Sequence, residues 1–454
     1  MGTSGVDWST LASGSDSTST AGIDVPTVVS EVLQPQTQQV TQWQTEETTY
    51  NNQTTALQQL NTQLQTLLTD ANNLNDPLGS FDAMDTSVSD SSVLSASAGS
   101  GAVAGTHTIS VTSLATTSSE YSNEVASSST AIGTGAFTLQ VGSGSASTIA
   151  VDSSDDTLTG LAAAINKQNL GVTASVITDA GGSRLTLVSN SSGAAGNITI
   201  SGNTTGLSFD VGSKGQDASL TVDGVPIDSS SNTITTAISG VTLNLTGTTS
   251  PSSPVTLQVS PDTSQVASAI NTFVSDYNTV ITNLNSQFTS GGSSGTTGTL
   301  MGDTAAEMVQ STLLGDAAGG ASGNGAISSL AALGITMNED GTLTVDSSQL
   351  STALTNNFQQ VQNFFQATST GFAQKFASDL NNLTDPTNGP IAIDLNGITS
   401  SVSSLQSEIT DFQANLTTEQ QSLTTYYDNV NVTLQSLPSL LASVNAQLGS
   451  LSTT

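Results

Sequence analysis

The sequence predicts an α+β multidomain chain, with N- and C-terminal helices paired in a coiled-coil-like arrangement and β-rich domains inserted between them. Three observations carry this reading. Near one end, Leu57, Leu60, Leu64, Leu67, Ala71 and Leu74 follow a three-four apolar ladder. Near the other, Val402, Leu405, Ile409, Phe412, Leu416, Leu423, Tyr426, Val430, Leu437, Leu440, Val444 and Leu451 do the same. Between Leu78 and Pro261 the period drops to two, the mark of half-buried strands. A lone helix cannot bury such a seam. The two ends therefore need partners, either each other within one monomer or another subunit, and the sequence leaves both open.

Residues 1–21 are rich in Ser, Thr and Gly, without a basic n-region or an apolar h-region. They read as a disordered leader and not as a secretory signal peptide. An N-terminal helical part spans 22–76. Asp24 can cap it and Pro26 suits a first turn. Val28, Val29, Val32 and Leu33 give a short apolar face, interrupted at Pro35. A longer helix is expected over Gln36–Asn75, its seam starting at Trp43 and Tyr50, passing polar Glu46 and Gln53, and ending before Asp76-Pro77.

The β-rich region divides into one domain over 77–135 and 206–262 and a second over 136–205. His107, Ile109 and Val111 alternate, as do Phe137, Leu139 and Val141, and Val255, Leu257 and Val259. Asp223-Gly224 between two short apolar runs signals a two-residue hairpin. Leu158, Leu161, Ala162 and Ile165 mark one short helix, followed by strands near 172–176, 184–188 and 198–200.

A C-terminal helical part covers 263–454. Val266, Ile270, Phe273, Tyr277, Val280, Leu284 and Phe288 form a further seam. Gly-rich loops over 290–299 and 315–325 flank a helix expected over 304–314. Asp340-Gly341 turns between short strands. Asp346 and Gln349 resemble a capping box opening a helix with Leu350, Leu354, Phe358, Val361 and Phe365. After a loop holding Pro386 and Pro390, the last helix is expected from near Ile398, kinked or broken at Pro438.

Four basic residues, Lys167, Arg184, Lys214 and Lys375, face 36 Asp and Glu, for a net charge of −32. This excludes a nucleic-acid binder, which needs cations to displace phosphate counterions, and docking on an anionic membrane. No apolar run approaches the roughly 18 residues of a membrane span. With 9% charged residues, the imbalance is a depletion of Lys and Arg more than an excess of acid. An exterior protein of an acidic habitat and plain lineage composition explain it equally well. With no cysteine there is no disulfide, thiolate nucleophile or cysteine metal site.

Residues of catalytic type are sparse. His107, the single histidine, lies in phase with a strand, where a structural role is the better reading, and no Gly-x-Ser-x-Gly elbow accompanies it. Asp152, Asp155 and Asp156 could attract a cation but lack the spacing of an EF-hand loop. A glycosidase needs two placed carboxylates, and sugar sites usually need aromatic platforms. Only Trp8, in the leader, and Trp43, on a helical seam, are tryptophans. The Gly-rich loops lack the Lys-Ser/Thr of a phosphate loop. The reading is a protein without enzymatic activity, cofactor or metal.

Several segments resemble the bacterial flagellar filament cap protein family (hook-associated protein 2, FliD). The most specific is LAALGITMNEDGTLTVDSSQLSTALTNNFQQVQNFF over 330–365. Others are DASLTVDGVPI, SNTITTAISGVTLNLTG and the helix with FVSDYN, within 217–278. Gly22-Ile23-Asp24-Val25 followed by TALQQLNTQL, and GTHTISVTSLA over 105–115, also match. Residues 157–200, with LAAAIN, VTASV and RLTLVSNSSG, look like a flagellin hook IN module, which falls in the second β-rich domain.

The resemblance implies a leg of paired terminal helices and β-rich heads. It implies a ring of five or six copies at the distal filament tip, which promotes flagellin polymerisation and stops loss of exported flagellin. It implies flagellin, the flagellar type III export apparatus and its chaperone as partners, and an extracellular location reached without a cleaved signal peptide. Adhesion, found in some members, is not carried over. The leader before Gly22 and the replacement of leg Lys and Arg by Gln, Thr and Asn depart from the family. Alternatives are a hook–filament junction protein, a secreted adhesin with a stalk, and a surface glycosidase.

The candidate assembly residues, for internal packing or for contact with subunits or flagellin, are Trp43, Tyr50, Leu57, Leu60, Leu64, Leu67, Val402, Leu405, Ile409, Phe412, Leu416, Leu423, Tyr426 and Val430. Replacing Leu405 and Leu416 with Asp buries unpaired charge and is expected to lower helicity and melting temperature. Unchanged circular dichroism and melting would remove the helix assignment.

Overall fold

A computed structural model describes residues 22–290, 297–320 and 324–451. The leader and parts of both Gly-rich loops lie outside these residues. The described chain forms two compact units. One, helical, draws on the described residues within 22–72, 271–350 and 363–451; the other, β-rich, on Asn73–Ile270 and Ser351–Gln362.

The chain opens with α1 (Val25–Asn75), which runs straight through Pro35 where the sequence predicts an interruption. Proline removes one backbone hydrogen bond and costs roughly 3 kcal/mol in a helix interior. Here Val25, Val29 and Leu33 before it and Val40 after it are all buried. Apolar burial on both sides of Pro35 offsets the cost. Further along, Leu57, Leu60, Leu64, Leu67, Ala71 and Leu74 are fully buried, as their ladder predicts.

In the β-rich unit every strand pair is antiparallel. A five-stranded sheet takes the order β1 (Met84–Val88), β15 (Val255–Pro261), β3 (Gly105–Ser113), β11 (Ala218–Val222), β12 (Val225–Ser229). A three-stranded sheet takes the order β13 (Thr233–Ile238), β14 (Val241–Leu245), β2 (Leu94–Ala98). Their alternating residues share one core, including Ile109, Val111, Leu220, Leu243 and Leu257. The β11–β12 turn is Asp223-Gly224, with φ +54 and +83. A two-residue hairpin turn with both central residues left-handed matches the strand twist.

A second core lies among β10 (Phe209–Ser213), β4 (Thr117–Ser122), β8 (Ser183–Ser192) and β7 (Val172–Thr178), with β6 (Ser147–Val151), β5 (Gly135–Val141), β9 (Ile198–Ser201) and α2 (Leu158–Lys167). Thr157 caps α2 by accepting from Gly160 N at 3.1 Å. The helix then buries Leu158, Leu161, Ala162 and Ile165 against Phe137, Leu139, Leu185 and Leu187. This core also draws on Val125, Ile132, Leu207 and, on β10, Phe209, which lie outside the 136–205 stretch, and β4 joins its sheet by pairing with β8 and β10.

The chain returns to helix in α3 (Thr263–Gln287) and α4 (Thr304–Ala318), then forms the hairpin β16 (Ile335–Met337) and β17 (Leu343–Val345). Tyr277 Oη donates to Gly341 O at 3.2 Å. Asn278 Nδ2 donates to Leu343 O at 2.8 Å and its Oδ1 accepts from Leu343 N at 2.6 Å. The FVSDYN helix thus holds the DGTL hairpin directly.

The helix expected after Asp346 is two helices, α5 (Ser347–Asn356) and α6 (Phe358–Gln366), parted at Asn357. Gln349 N and Nε2 both donate to the Asp346 carboxylate, at 3.0 and 2.9 Å. A further helix, α7 (Phe372–Thr384), stands where the sequence reading placed none. Its Phe372 and Phe376 pack with Phe273, and Phe372 also stacks on Phe364.

The last helix, α8 (Pro390–Leu451), starts earlier than Ile398 and is not broken at Pro438. Pro390 occupies the first helical position, where its missing N–H costs nothing. Around Pro438 the helix is exposed, so water can solvate a freed carbonyl. Ser436 and Ser439 hydroxyls also donate to the carbonyls of Thr433 and Ser436, both at 2.7 Å.

Leu64→Ala should cost about 2–5 kcal/mol, the range for emptying a fully buried Leu site. Leu440→Ala, at a residue 63% exposed, should stay within about 0.5 kcal/mol. Denaturant unfolding followed by helical circular dichroism checks both.

Candidate assembly surface

The candidate surface is built by α1 and α8 within the helical unit. Ile23 N donates to Asn431 Oδ1 at 3.0 Å. Gln36 Nε2 donates to Glu419 Oε2 at 3.2 Å, and Gln406 Nε2 to Glu47 Oε1 at 2.6 Å. Each advance along α1 is matched by a near-equal retreat along α8, so the helices are antiparallel. Val25, Val29 and Leu33 pack with Leu416, Leu423 and Tyr427. Val40 packs with Leu405 and Ile409, flanked by Trp43, Tyr50, Phe412 and Leu416. Trp43 and Phe412 meet edge to face, ring centres 5.2 Å apart at 83°.

The structure therefore brings Trp43, Tyr50, Leu405, Ile409, Phe412, Leu416 and Leu423 together. Val402 and Val430 are half-buried on α8. Leu57, Leu60, Leu64 and Leu67 are interior residues.

Tyr426 is not on the seam: it is 62% exposed, and Tyr427 takes its place. A straight helix drifts about 20° per heptad from a strict seven-residue repeat. Over the heptads from Val402 the drift carries position 426 off the contact line and brings 427 onto it. The apolar cluster shared with the start of α1 reaches Tyr427, and the hydrogen bond to Ile23 falls at Asn431. Val432, Leu437, Leu440, Leu441, Val444 and Leu448 are exposed, although the ladder predicts a continued seam through Leu437, Leu440 and Val444. The side chain of Leu451 lies outside the described residues.

Periodicity did not show the amide–carboxylate contacts at Gln36, Glu47, Gln406 and Glu419, or Asn431 at the Ile23 backbone. Laying the two ladders antiparallel would have exposed them, because Gln then faces Glu twice. The outer face of α1 is self-contained: Thr41, Thr45 and Thr49 hydroxyls donate to the carbonyls of Thr37, Thr41 and Thr45, at 3.1, 2.8 and 3.0 Å.

His107 has a structural partner. Its Nδ1 lies 2.8 Å from Asp223 Oδ2, while Asp223 Oδ1 accepts from Thr108 N at 2.8 Å. The Thr108 N–H, then His107, hold the Asp223 carboxyl below its ordinary range. The hairpin turn is thereby clipped to β3.

At Asp152–Asp156 the carboxylates close a turn. Asp152 Oδ1 accepts from Ser154 N and Oγ at 2.8 and 2.6 Å, and Asp152 N donates to Asp155 Oδ1 at 2.8 Å. Among the described residues no three His, Asp or Glu side chains converge as metal ligands, and no helix is long and apolar enough to cross a membrane.

A double-mutant cycle of Trp43→Ala and Phe412→Ala should give a coupling of about 0.5–1.5 kcal/mol, as for aromatic pairs generally. Simple additivity in denaturant unfolding would show that the ring contact contributes nothing of its own.

Comparison with known proteins places this geometry. The family models for the N- and C-terminal parts of flagellar hook-associated protein 2 match residues 21–118 and 215–439, and the flagellin hook IN motif matches 136–191. The B-type flagellar hook-associated protein 2 of Pseudomonas aeruginosa is 31% identical over 335 residues, covering 65% of this chain and 69% of the relative. Flagellar hook-associated protein 2 of Escherichia coli is 29% identical over 233 residues, covering 47% and 49%. The crystal structure of the D1-D2-D3 domains of the flagellar cap protein FliD from Escherichia coli superposes with a TM-score of 0.57 at 29% identity, covering 76% of this chain and 99% of that one. The long terminal helices, the β-rich middle and the matched motifs agree, and the chain belongs to the flagellar hook-associated protein 2 family.

Proposed function

We propose that this protein is a filament cap: a structural assembly factor at the distal tip of the bacterial flagellar filament that promotes flagellin polymerisation and retains exported monomers. Family membership supports the role. One structural observation points to where it is exercised. The α1–α8 seam is closed within the chain up to Asn431, while six large apolar residues of α8 from Val432 to Leu448 stay exposed. Exposed apolar surface of this kind suits contact with other chains. In this reading α8 beyond Asn431 is the part of the leg that meets neighbouring cap subunits and flagellin. Trp43, Phe412 and the buried leucines keep the leg rigid.

The finer features of the proposal rest on the family resemblance alone. They are a ring of five or six copies, export by the flagellar type III apparatus with its chaperone, and an extracellular site at the filament tip. No observation favours the junction-protein, adhesin or glycosidase readings.

Deletion of the gene should leave cells with hooks but no filaments, and flagellin monomer in the medium. Electron micrographs showing normal filaments on such cells would end the proposal. Purified protein added with flagellin to bare hooks should restore growth.

A further inference from the structure

The helical unit contains a single basic residue, Lys375. It bridges the carboxylate of buried Asp316 on α4 and that of Asp379 on its own helix α7, the latter at 2.7 Å. At two other junctions carboxylates meet across helices with no cation to separate them.

The first is Asp70 of α1 with Asp276 of α3. Gln63 and Asn283, one heptad away on both helices, hydrogen-bond at 2.6 Å, which sets the antiparallel register that brings the two acids face to face. Asp70 lies between fully buried Leu67 and Leu74 on the apolar side of α1. Its Oδ2 is buried and meets no donor.

The second junction is Asp394 of α8 with Asp303. Asp303 caps α4 by accepting from Ala306 N at 2.9 Å. Asp394 sits between buried Ile391 and Ile398, and its Oδ2 is likewise buried without a donor. A carboxylate is acceptor-only; once protonated, it can donate. A proton satisfies the orphaned oxygen and joins the two side chains.

We propose that these junctions are proton latches: in mild acid each carboxyl pair shares a proton, tying α1 to α3 and the start of α4 to α8, and loss of the protons sets two carboxylates against each other and loosens the helical unit. Burial first, then the facing carboxyl, pushes Asp70 up to about 6 from 3.8, and the same causes raise Asp394 to about 6. Of the ionisable residues on α3, Tyr277 is engaged with Gly341, leaving Asp276 as the group that acts on Asp70. On α4 and α7, which pack against α8, the ionisable residues are Glu307, Asp316, Lys375 and Asp379. None of them acts on Asp394.

A raised carboxyl value means that the folded unit holds more protons than the unfolded chain. The latch is therefore fully closed below about 4, weakens through the window from 3.8 to about 6, and is open above it. It stands whether or not the chain caps a filament.

The test is thermal unfolding of the full chain, wild type against Asp70→Asn and Asp394→Asn. The amide supplies a permanent donor to Asp276 or Asp303. Each variant should melt roughly 2–6 °C above wild type near pH 7.5, a shift of the size expected for one relieved buried contact, and show a much smaller gain near pH 5. Asp411→Asn, which removes an exposed carboxylate of α8, should give no such pH-dependent gain. A gain equal at both pH values, or equalled by the Asp411 control, overturns the latch. So does a rise in wild-type melting with millimolar calcium near pH 7.5 that the variants lack, because the pairs would then hold a metal. If the variants fail to fold, carboxyl NMR titration of the intact protein decides: two side chains titrating near 6 support the latch, and none above 5 overturns it.

Discussion

Near-absence of cations is the constraint under which the helical unit is built. Ion pairs usually set partner choice along a coiled coil. Here glutamine and asparagine amides stand in that place: Gln36 to Glu419, Gln406 to Glu47, Gln310 to Asn285, Asn283 to Gln63. A neutral amide meets a carboxylate without the desolvation cost of a second charge. The contacts that hold the helices are therefore apolar packing plus amide bonds. The one Lys of the helical unit is committed to bridging Asp316 and Asp379.

Packing does the rest through matched motifs. Tyr277 and Asn278 of α3 reach the β16–β17 hairpin, so two segments far apart in sequence form one folded piece. A phenylalanine cluster, Phe273, Phe364, Phe365, Phe372 and Phe376, gathers α3, α6 and α7. In a chain with 4% aromatic residues, this concentrates much of the aromatic surface in one place. In the β-rich unit the first core is built from Val, Leu, Ile and Ala, and the second adds Phe137 and Phe209 to the same residue types.

Much of this was legible in the sequence where one local signal dominates. The Leu57–Leu74 ladder, the Asp223-Gly224 turn and the Leu158–Ile165 helix needed only periodicity and turn chemistry. Elements whose outcome depends on distant partners were not legible. Pro35 and Pro438 read as breaks, yet burial around the first and solvent with serine hydroxyls around the second keep both helices whole. Helix α7 was missed because its apolar residues follow a loop-like stretch and gain meaning only against Phe273 and Phe364. Tyr427 displaces Tyr426 through accumulated helical drift. The facing carboxyl pairs depend on interhelical register, which no single segment encodes.

The bond from Ile23 to Asn431 joins residues 408 positions apart. Closing so long a loop carries a large entropy cost before any contact is made, and non-local pairing of this kind is slow. The first and last helices are the two halves of one seam, so neither has its partner until nearly the whole chain is present in one place. A chain threaded N-terminus first through a narrow passage would keep its opening helix unmated during transit. In such a passage the topology would act as a timer: the helical pair would complete only after the closing segment had arrived.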